Sequence, residues 1–358
     1  MTSTSISMDG FTRYRHDQDF IRGFAAARQA LGVDEAAAAN SVAMLLFSPL
    51  ALRAARVRAG LKWLTAHGFS VGYVCRVRLD RGQVRRIWKY QPVEYDAERV
   101  RIVCDLMTSG PCLLVLVTGT EVDGLPLASR LRTLKGPSNP HRCSPEHLRT
   151  HLGAANMFNN LVHTSDGPVE VMRECAVMLT DTELATLWRC VSDSLSGSSS
   201  PPGLDEALAG IPTAAIPGGI SLAHVAIALR AELLRHIGTP MSSRTGRLAE
   251  VEYLLAAEME WAQRQDPARP VQALHAFRAR FSPVHPLLQA SLVPMRGLLS
   301  LFDDVEHALF GMPFGLDSLN RSASAANITL DVRDRLVLET EWLSLRFSRG
   351  CPSSATLS

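Results

Sequence analysis

Lysine is nearly missing from this chain. Of 37 basic residues only Lys62, Lys89 and Lys135 are lysine; the other 34 are arginine. Genomic base composition accounts for such a bias without a functional cause. The net charge is only +2, so the balance does not indicate the strongly basic surface that nucleic acid selects. No CxxC pair occurs, and the 7 cysteines are scattered from Cys75 to Cys351. That pattern fits reduced thiols in a cytoplasmic protein better than a disulfide framework. Residues 1–14 are polar and rich in Ser and Thr, without the apolar stretch of a secretory signal. The apolar run at 112–117 is far too short to cross a bilayer, so no membrane partner is expected. The GxxxxGK[ST] loop is absent, which excludes P-loop kinase chemistry. GxGxxG and GxSxG are absent too, which removes the usual cues for dinucleotide binding and for a hydrolase elbow.

What remains is an ordinary globular balance. The chain has 358 residues, 46% hydrophobic and 20% charged, enough for two domains and a sizeable core. Residues 19–40 carry apolar positions at helical spacing on an Ala-rich body and predict an N-terminal extension of one or two helices, residues 1–40. Val42–Phe47 is an apolar run of strand length. Residues 51–67 predict a helix ending before Gly68, and 69–79 a second strand. Residues 83–90 and 96–108 predict helices, and Ser109-Gly110-Pro111 a turn. Cys112–Thr118 is the strongest buried-strand candidate. A helix at 125–134, a long loop at 135–158, a short strand at 160–163 and helices at 168–179 and 181–193 complete the stretch. The order β-α-β-α-β-α-loop-β-α predicts a ferredoxin-like α/β (α+β) sandwich over residues 41–193. The Ser/Gly/Pro segment at 194–203 predicts an exposed linker. Residues 204–358 predict a separate all-α domain, with helices at about 204–210, 220–237, 245–264, 270–281, 285–310 and 331–346 and with 328–332 the one candidate strand.

The chemistry-bearing stretch runs from Arg132 to Glu174. It holds Arg132, then Gly136-Pro137-Ser138-Asn139-Pro140, then Arg149, then Asn160-Leu161-Val162-His163-Thr164-Ser165-Asp166, and Glu174 eleven residues after His163. A neutral imidazole is a competent nucleophile towards phosphorus, and a carboxylate on one ring nitrogen fixes the tautomer and exposes the other. Glu174, two turns into the following helix, can be that carboxylate. Phosphoryl transfer also needs cations on the equatorial oxygens, which Arg132 and Arg149 can supply as forked donors. Ser138 can add a hydrogen bond, and Asn160 can bind a sugar hydroxyl or the β-phosphate region. By contrast, the spacing of His141, Cys143, His147 and His151 fits no closed zinc pattern. The acidic cluster of Asp303, Asp304 and Glu306 beside His307 predicts a solvated helix face.

This order of residues resembles the active-site stretch of the nucleoside diphosphate kinase family, and the resemblance covers about 140 residues. Ser138 stands where that family has Thr, Thr164 where it has Gly, and Thr150-His151 where it usually has Gly-Asp. Upstream, the family begins with a strand ending in Lys-Pro-Asp; here Ser48 occupies the position of the phosphate-binding lysine and Leu50 that of the Asp. Arg53 or Arg56 could compensate. The resemblance implies a nucleotide-dependent phosphotransferase with a phospho-His163 intermediate and Mg²⁺ held largely by the phosphates of the nucleoside triphosphate. It also implies an aromatic from the second helical region at the site, matched by Tyr90, and a base-stacking aromatic, matched by Tyr95. The partners expected are a nucleotide and a phosphate acceptor or protein partner that the sequence does not name; a homo-oligomer is a further possibility, because the family is commonly oligomeric. The missing lysine keeps a second reading open, a non-catalytic nucleotide-binding module whose helical domain mediates partner binding or assembly. A third is an altered enzyme of another reaction class on the same fold.

Overall fold

The computed structural model describes residues 12–32, 35–90, 97–120, 124–197 and 203–213, a few separate positions beyond, and residues 315–325 and 327–348. The chain divides into two compact units, Met1–Ala215 and Ile216–Ser358.

In the first unit two helices, α1 (Gln18–Leu31) and α2 (Glu35–Asn40), precede strand β1 (Val42–Phe47). Helices α3 (Pro49–Arg53) and α4 (Val57–Ala66) lead to β2 (Ser70–Val77). Helices α5 (Arg81–Ile87) and α6 (Ala97–Thr108) lead to β3 (Cys112–Thr118). Helix α7 (Leu127–Lys135), a 3₁₀ turn (Pro140–Arg142) and α8 (Leu148–Leu152) precede the short strand β4 (Val162–Thr164). Helices α9 (Pro168–Met178), α10 (Asp181–Leu195) and α11 (Leu204–Leu208) follow.

The strands form one sheet in the order β2-β3-β1-β4, with every neighbouring pair antiparallel. Helical crossovers join β1 to β2 and β3 to β4, which makes each of those pairs parallel without direct pairing. This is the predicted ferredoxin-like sandwich, with two helices between β2 and β3. Every residue of β1 and β3 is buried, so both faces of the sheet centre are covered. That explains why both strands read as unbroken apolar runs. Pro168 opens α9 at its first turn, where a missing amide costs nothing. Capping boxes at Asp80/Gln83 and Thr180/Glu183 start α5 and α10.

The N-terminal extension is docked closely onto the domain. A side chain at Gly23 would put its Cβ 2.1 Å from the Met172 carbonyl oxygen, so only glycine lets α1 approach α9 this far. Arg22 donates to the Ala176 and Leu179 carbonyls at the end of α9 and pairs with Asp181 at 2.7 Å.

Three local expectations are corrected. Residues 51–67 are two helices, because Ala55 adopts a left-handed backbone with φ 57°. No glycine or proline marks that break. The stretch 135–158 is not all loop: α8 lies inside it and ends on Gly153 in the left-handed conformation. Residues 328–331 form no strand and run into α13 (Val332–Ser348).

In the second unit α13 is helical as expected and α12 (Leu316–Ala325) is a further helix, with Leu319, Leu336, Val337 and Leu343 buried. Asp304 is not simply solvated: its Oδ2 accepts the hydroxyls of Ser318 at 3.2 Å and Ser322 at 3.0 Å. The helices expected at 220–237, 245–264, 270–281 and 285–310 lie almost wholly outside the described residues. Helix α11, after the Ser/Gly/Pro segment, packs on β2 in the first unit, where the Arg76 Nε donates to the Ala207 carbonyl at 2.9 Å.

Candidate active site

His163 sits in the middle of β4, an edge strand, opposite Leu46 of β1. Its neighbours in the strand, Val162 and Thr164, are buried, whereas His163 is partly open. Pleating places it on the opposite face from those two. Its ring is 13% exposed, enough for one edge to meet a ligand.

The other edge is committed. The His163 Nε2 lies 2.8 Å from Glu174 Oε2, and the Ser165 hydroxyl donates to the same oxygen at 2.9 Å. Glu174 is buried on α9, with Arg173 3.7 Å from its Oε1. Burial by itself would raise the Glu174 carboxyl. The charge and hydrogen bond of His163, the Arg173 guanidinium and the Ser165 hydroxyl outweigh it and hold the group below the usual carboxylate range. Glu174 is therefore an ionised acceptor, and the His163 Nε2–H is its donor. In the neutral ring that leaves the Nδ1 lone pair as the nucleophilic position.

Each residue from Val162 to Asp166 is held by a side chain from outside the segment. Arg149 of α8, buried, donates to the Val162 carbonyl at 3.0 Å and the Gly136 carbonyl at 2.8 Å. Glu174 holds His163 and Ser165. Lys135 at the end of α7 donates to the Thr164 hydroxyl at 2.8 Å. Ser129 donates to the Asp166 carbonyl at 3.3 Å, and Arg132 pairs with the Asp166 carboxylate at 2.9 Å. The last pair is 60% and 44% exposed, so it adds little stability and Arg132 is free to turn to an anion.

The remaining expected residues are less engaged. Ser138 is exposed on the loop after Gly136. Asn160 donates from Nδ2 to the Met157 carbonyl at 2.9 Å. Tyr95 lies outside the described residues. Ser48 caps α3, its Oγ accepting the Ala51 amide at 3.3 Å while its own amide donates to the Leu161 carbonyl at 2.9 Å. It lies beside the His163 segment and offers no positive charge there. Leu50 is a core residue, 2% exposed. Arg56 runs towards the end of α8: its Nη2 lies 3.8 Å from where a Gly153 Cβ would be.

Tyr90 is not the aromatic at the site. Its hydroxyl donates to Asp17 at 2.8 Å, and Trp88, two residues earlier, lies against the imidazole with centroids 4.8 Å apart. The aromatic pair two residues apart was visible in the sequence; which of the two faces His163 is set by where α5 ends. Lys135 was equally visible, but nothing local shows that it is buried beside Thr164. Among the described residues no cluster of three or more His, Cys, Asp or Glu side chains could hold a metal ion. Asp166 and Glu174 are both engaged by protein partners. No helix among the described residues is long and apolar enough to cross a membrane.

Residues 42–184 match the sequence model of the nucleoside diphosphate kinase family. The nucleoside diphosphate kinase of Streptococcus agalactiae serotype III (strain NEM316) is 36% identical over 77 residues, 20% of this chain and 52% of that protein. That of Archaeoglobus fulgidus is 32% identical over 80 residues, 22% of this chain and 49% of that protein. The chain thus spans about half the length of these relatives. Among solved structures, the Aquifex aeolicus nucleoside diphosphate kinase aligns at 17% identity over 38% of this chain and 93% of that one, with a TM-score of 0.33. An NDP kinase from Pyrobaculum aerophilum aligns at 20% identity over 40% and 98%, with a TM-score of 0.32.

Proposed function

We propose that residues 42–184, a domain of the nucleoside diphosphate kinase family, transfer a phosphoryl group from a nucleoside triphosphate to His163 and from there to an acceptor. The observation that carries this reading is the hydrogen bond between His163 Nε2 and the ionised, buried Glu174, which frees Nδ1. In the first half-reaction the bond between the γ-phosphorus and its bridging oxygen breaks, the Nδ1–phosphorus bond forms, and the nucleoside diphosphate leaves. Ser165 keeps Glu174 in place, and Glu174 stabilises the positive charge that the ring acquires. Arg132, exposed at the mouth, is positioned to turn from Asp166 to the transferring oxygens. Arg149 fixes the backbone on both sides of the loop, while Ser138 and Asn160 are the polar groups left for the nucleotide. Mg²⁺ on the nucleotide phosphates supplies further charge neutralisation.

Incubation with γ-labelled ATP and Mg²⁺ should give an acid-labile, base-stable label on the full chain and none on His163→Ala. Wild-type protein that takes no label, or an alanine variant labelled equally, would sink the proposal. The Ser48 cap favours a second reading, since Ser48 stands where the resemblance expects a lysine and carries no charge to offer a phosphate. In that case the domain binds a nucleotide without turning it over. Calorimetry would then show tight nucleotide binding, no product, and no change in His163→Ala.

A further inference from the structure

The imidazole of His163 is held on two sides, by Trp88 and by Glu174, and one side chain reaches both Glu174 and the helix end that precedes Trp88. Arg173, 1% exposed on α9, donates to the Arg86 carbonyl at 2.8 Å and to the Ile87 carbonyl at 2.7 Å. Those are the last two residues of α5, and Trp88 follows directly. The same guanidinium is 3.7 Å from Glu174 Oε1. A shift of Arg173 would therefore move the end of α5, with Trp88, and change the field at the carboxylate that orients His163.

Part of what holds Arg173 lies outside the matched residues. Its guanidinium carbon is 5.5 Å from the Tyr14 ring centroid and 5.2 Å from that of Tyr90. The two rings meet edge to face at 4.8 Å and 82°. The Tyr90 hydroxyl donates to Asp17 at 2.8 Å, and Asp17, 6% exposed, caps α1 by accepting the Asp19 and Phe20 amides. Tyr14 and Asp17 both belong to the N-terminal extension, so the chain of contacts runs from Asp17 through Tyr90 and Tyr14 to Arg173, and on to Trp88, Glu174 and His163.

We infer that Arg173 is a positioning residue for His163, and that the N-terminal extension, through Tyr14 and Asp17, holds it in place. The extension is then a working part of the site as well as a cover for α9. Cation–aromatic contact supports the guanidinium from one side and backbone carbonyls fix it from the other. The charged and titratable groups around it and its tyrosines are Arg13, Asp17, Lys89, Glu170 and Glu174, with the two tyrosines themselves; Glu174 in turn faces His163, Arg173 and Lys135.

This inference rests on the phospho-His163 reading only for its kinetic readout, so the test has two arms. The first follows the His163 imidazole in the full chain by NMR titration, which needs no turnover. Tyr14→Leu, Tyr90→Phe and Arg173→Lys should each move the His163 midpoint or ring shifts, Arg173→Lys most. Lys62→Gln, exposed on α4 and outside these contacts, should change them least. The second arm measures labelling rate against pH. The Tyr14 and Arg173 variants should label about tenfold more slowly, with the acid limb displaced, and Tyr90→Phe should fall between them and wild type. If the variants melt lower yet the folded protein keeps wild-type His163 titration, the contacts are merely structural and the inference fails. If wild type takes no label but the titration moves as expected, the phosphotransfer reading fails and the positioning inference stands.

Discussion

Lys135→Met should melt higher than the native chain at pH 7. Lys135 is 8% exposed, and its side chain's hydrogen bond goes to the neutral Thr164 hydroxyl. Burial first, then the charges of Arg149 and Arg132, pull its ammonium down to about 7 from 10.5, against Asp166 and Glu174. For a base with a depressed folded value, the unfolded chain binds more protons between those two pH values. Stability therefore rises as pH climbs from about 7 towards 10.5, and the full penalty is present below 7. At about 1.4 kcal/mol per unit the shift corresponds to something on the order of 5 kcal/mol. A methionine of similar length removes that penalty and loses a hydrogen bond of about 1 kcal/mol, along with some fit in the core. The desolvation effect is the larger, so a net gain of roughly 1–3 kcal/mol is expected, a few degrees in a unit of this size. Melting curves at pH 7 and pH 10 test this. The gain should shrink at the higher pH, and a methionine variant that melts lower at pH 7 would refute the argument.

Glu174→Gln should cost the site about a hundredfold in labelling rate while leaving the fold intact. The amide can still meet the His163 ring but no longer balances the positive charge formed on it. The pH signature is specific. A carboxyl held below its ordinary value contributes stability above the unfolded pKa, near 4.5, and loses it as pH falls through the folded value. Urea midpoints of the native chain should fall through that acid window, and those of Glu174→Gln should be flatter across it. Labelling by the Gln variant at the wild-type rate would remove Glu174 from the mechanism.

The legible parts of this protein share a cause: their signals are local. Cys112–Thr118 read as a buried strand because all seven of its residues are apolar or β-branched and all are buried. Helix α9 could be placed from Pro168, and the end of α7 from Gly136. Within the candidate site, the 2.8 Å contact of His163 with Glu174 realises the eleven-residue spacing that pointed to it. The parts that were not legible depend on partners distant in sequence or on a backbone choice no residue type announces. Ala55 breaks a helix with an ordinary side chain. Trp88 reaches His163, and Tyr90 turns away to Asp17, a partner 73 residues earlier. Lys135 is buried against a threonine 29 residues later, where composition alone suggests a surface lysine.

The close approach of α1 to α9 at Gly23 and Met172 bears on where this domain can be cut. The family match stops at 42 and 184, but the compact unit does not. A fragment excised at those limits would bare the α9 backbone that Gly23 covers and strip Tyr14 from Arg173. At the other end it would sever α10 ahead of Leu187, Trp188 and Val191, all of which are buried. Such a piece would expose a fresh apolar surface at both ends and should aggregate on expression, whereas one running from before Tyr14 to beyond Ile211 keeps both faces closed.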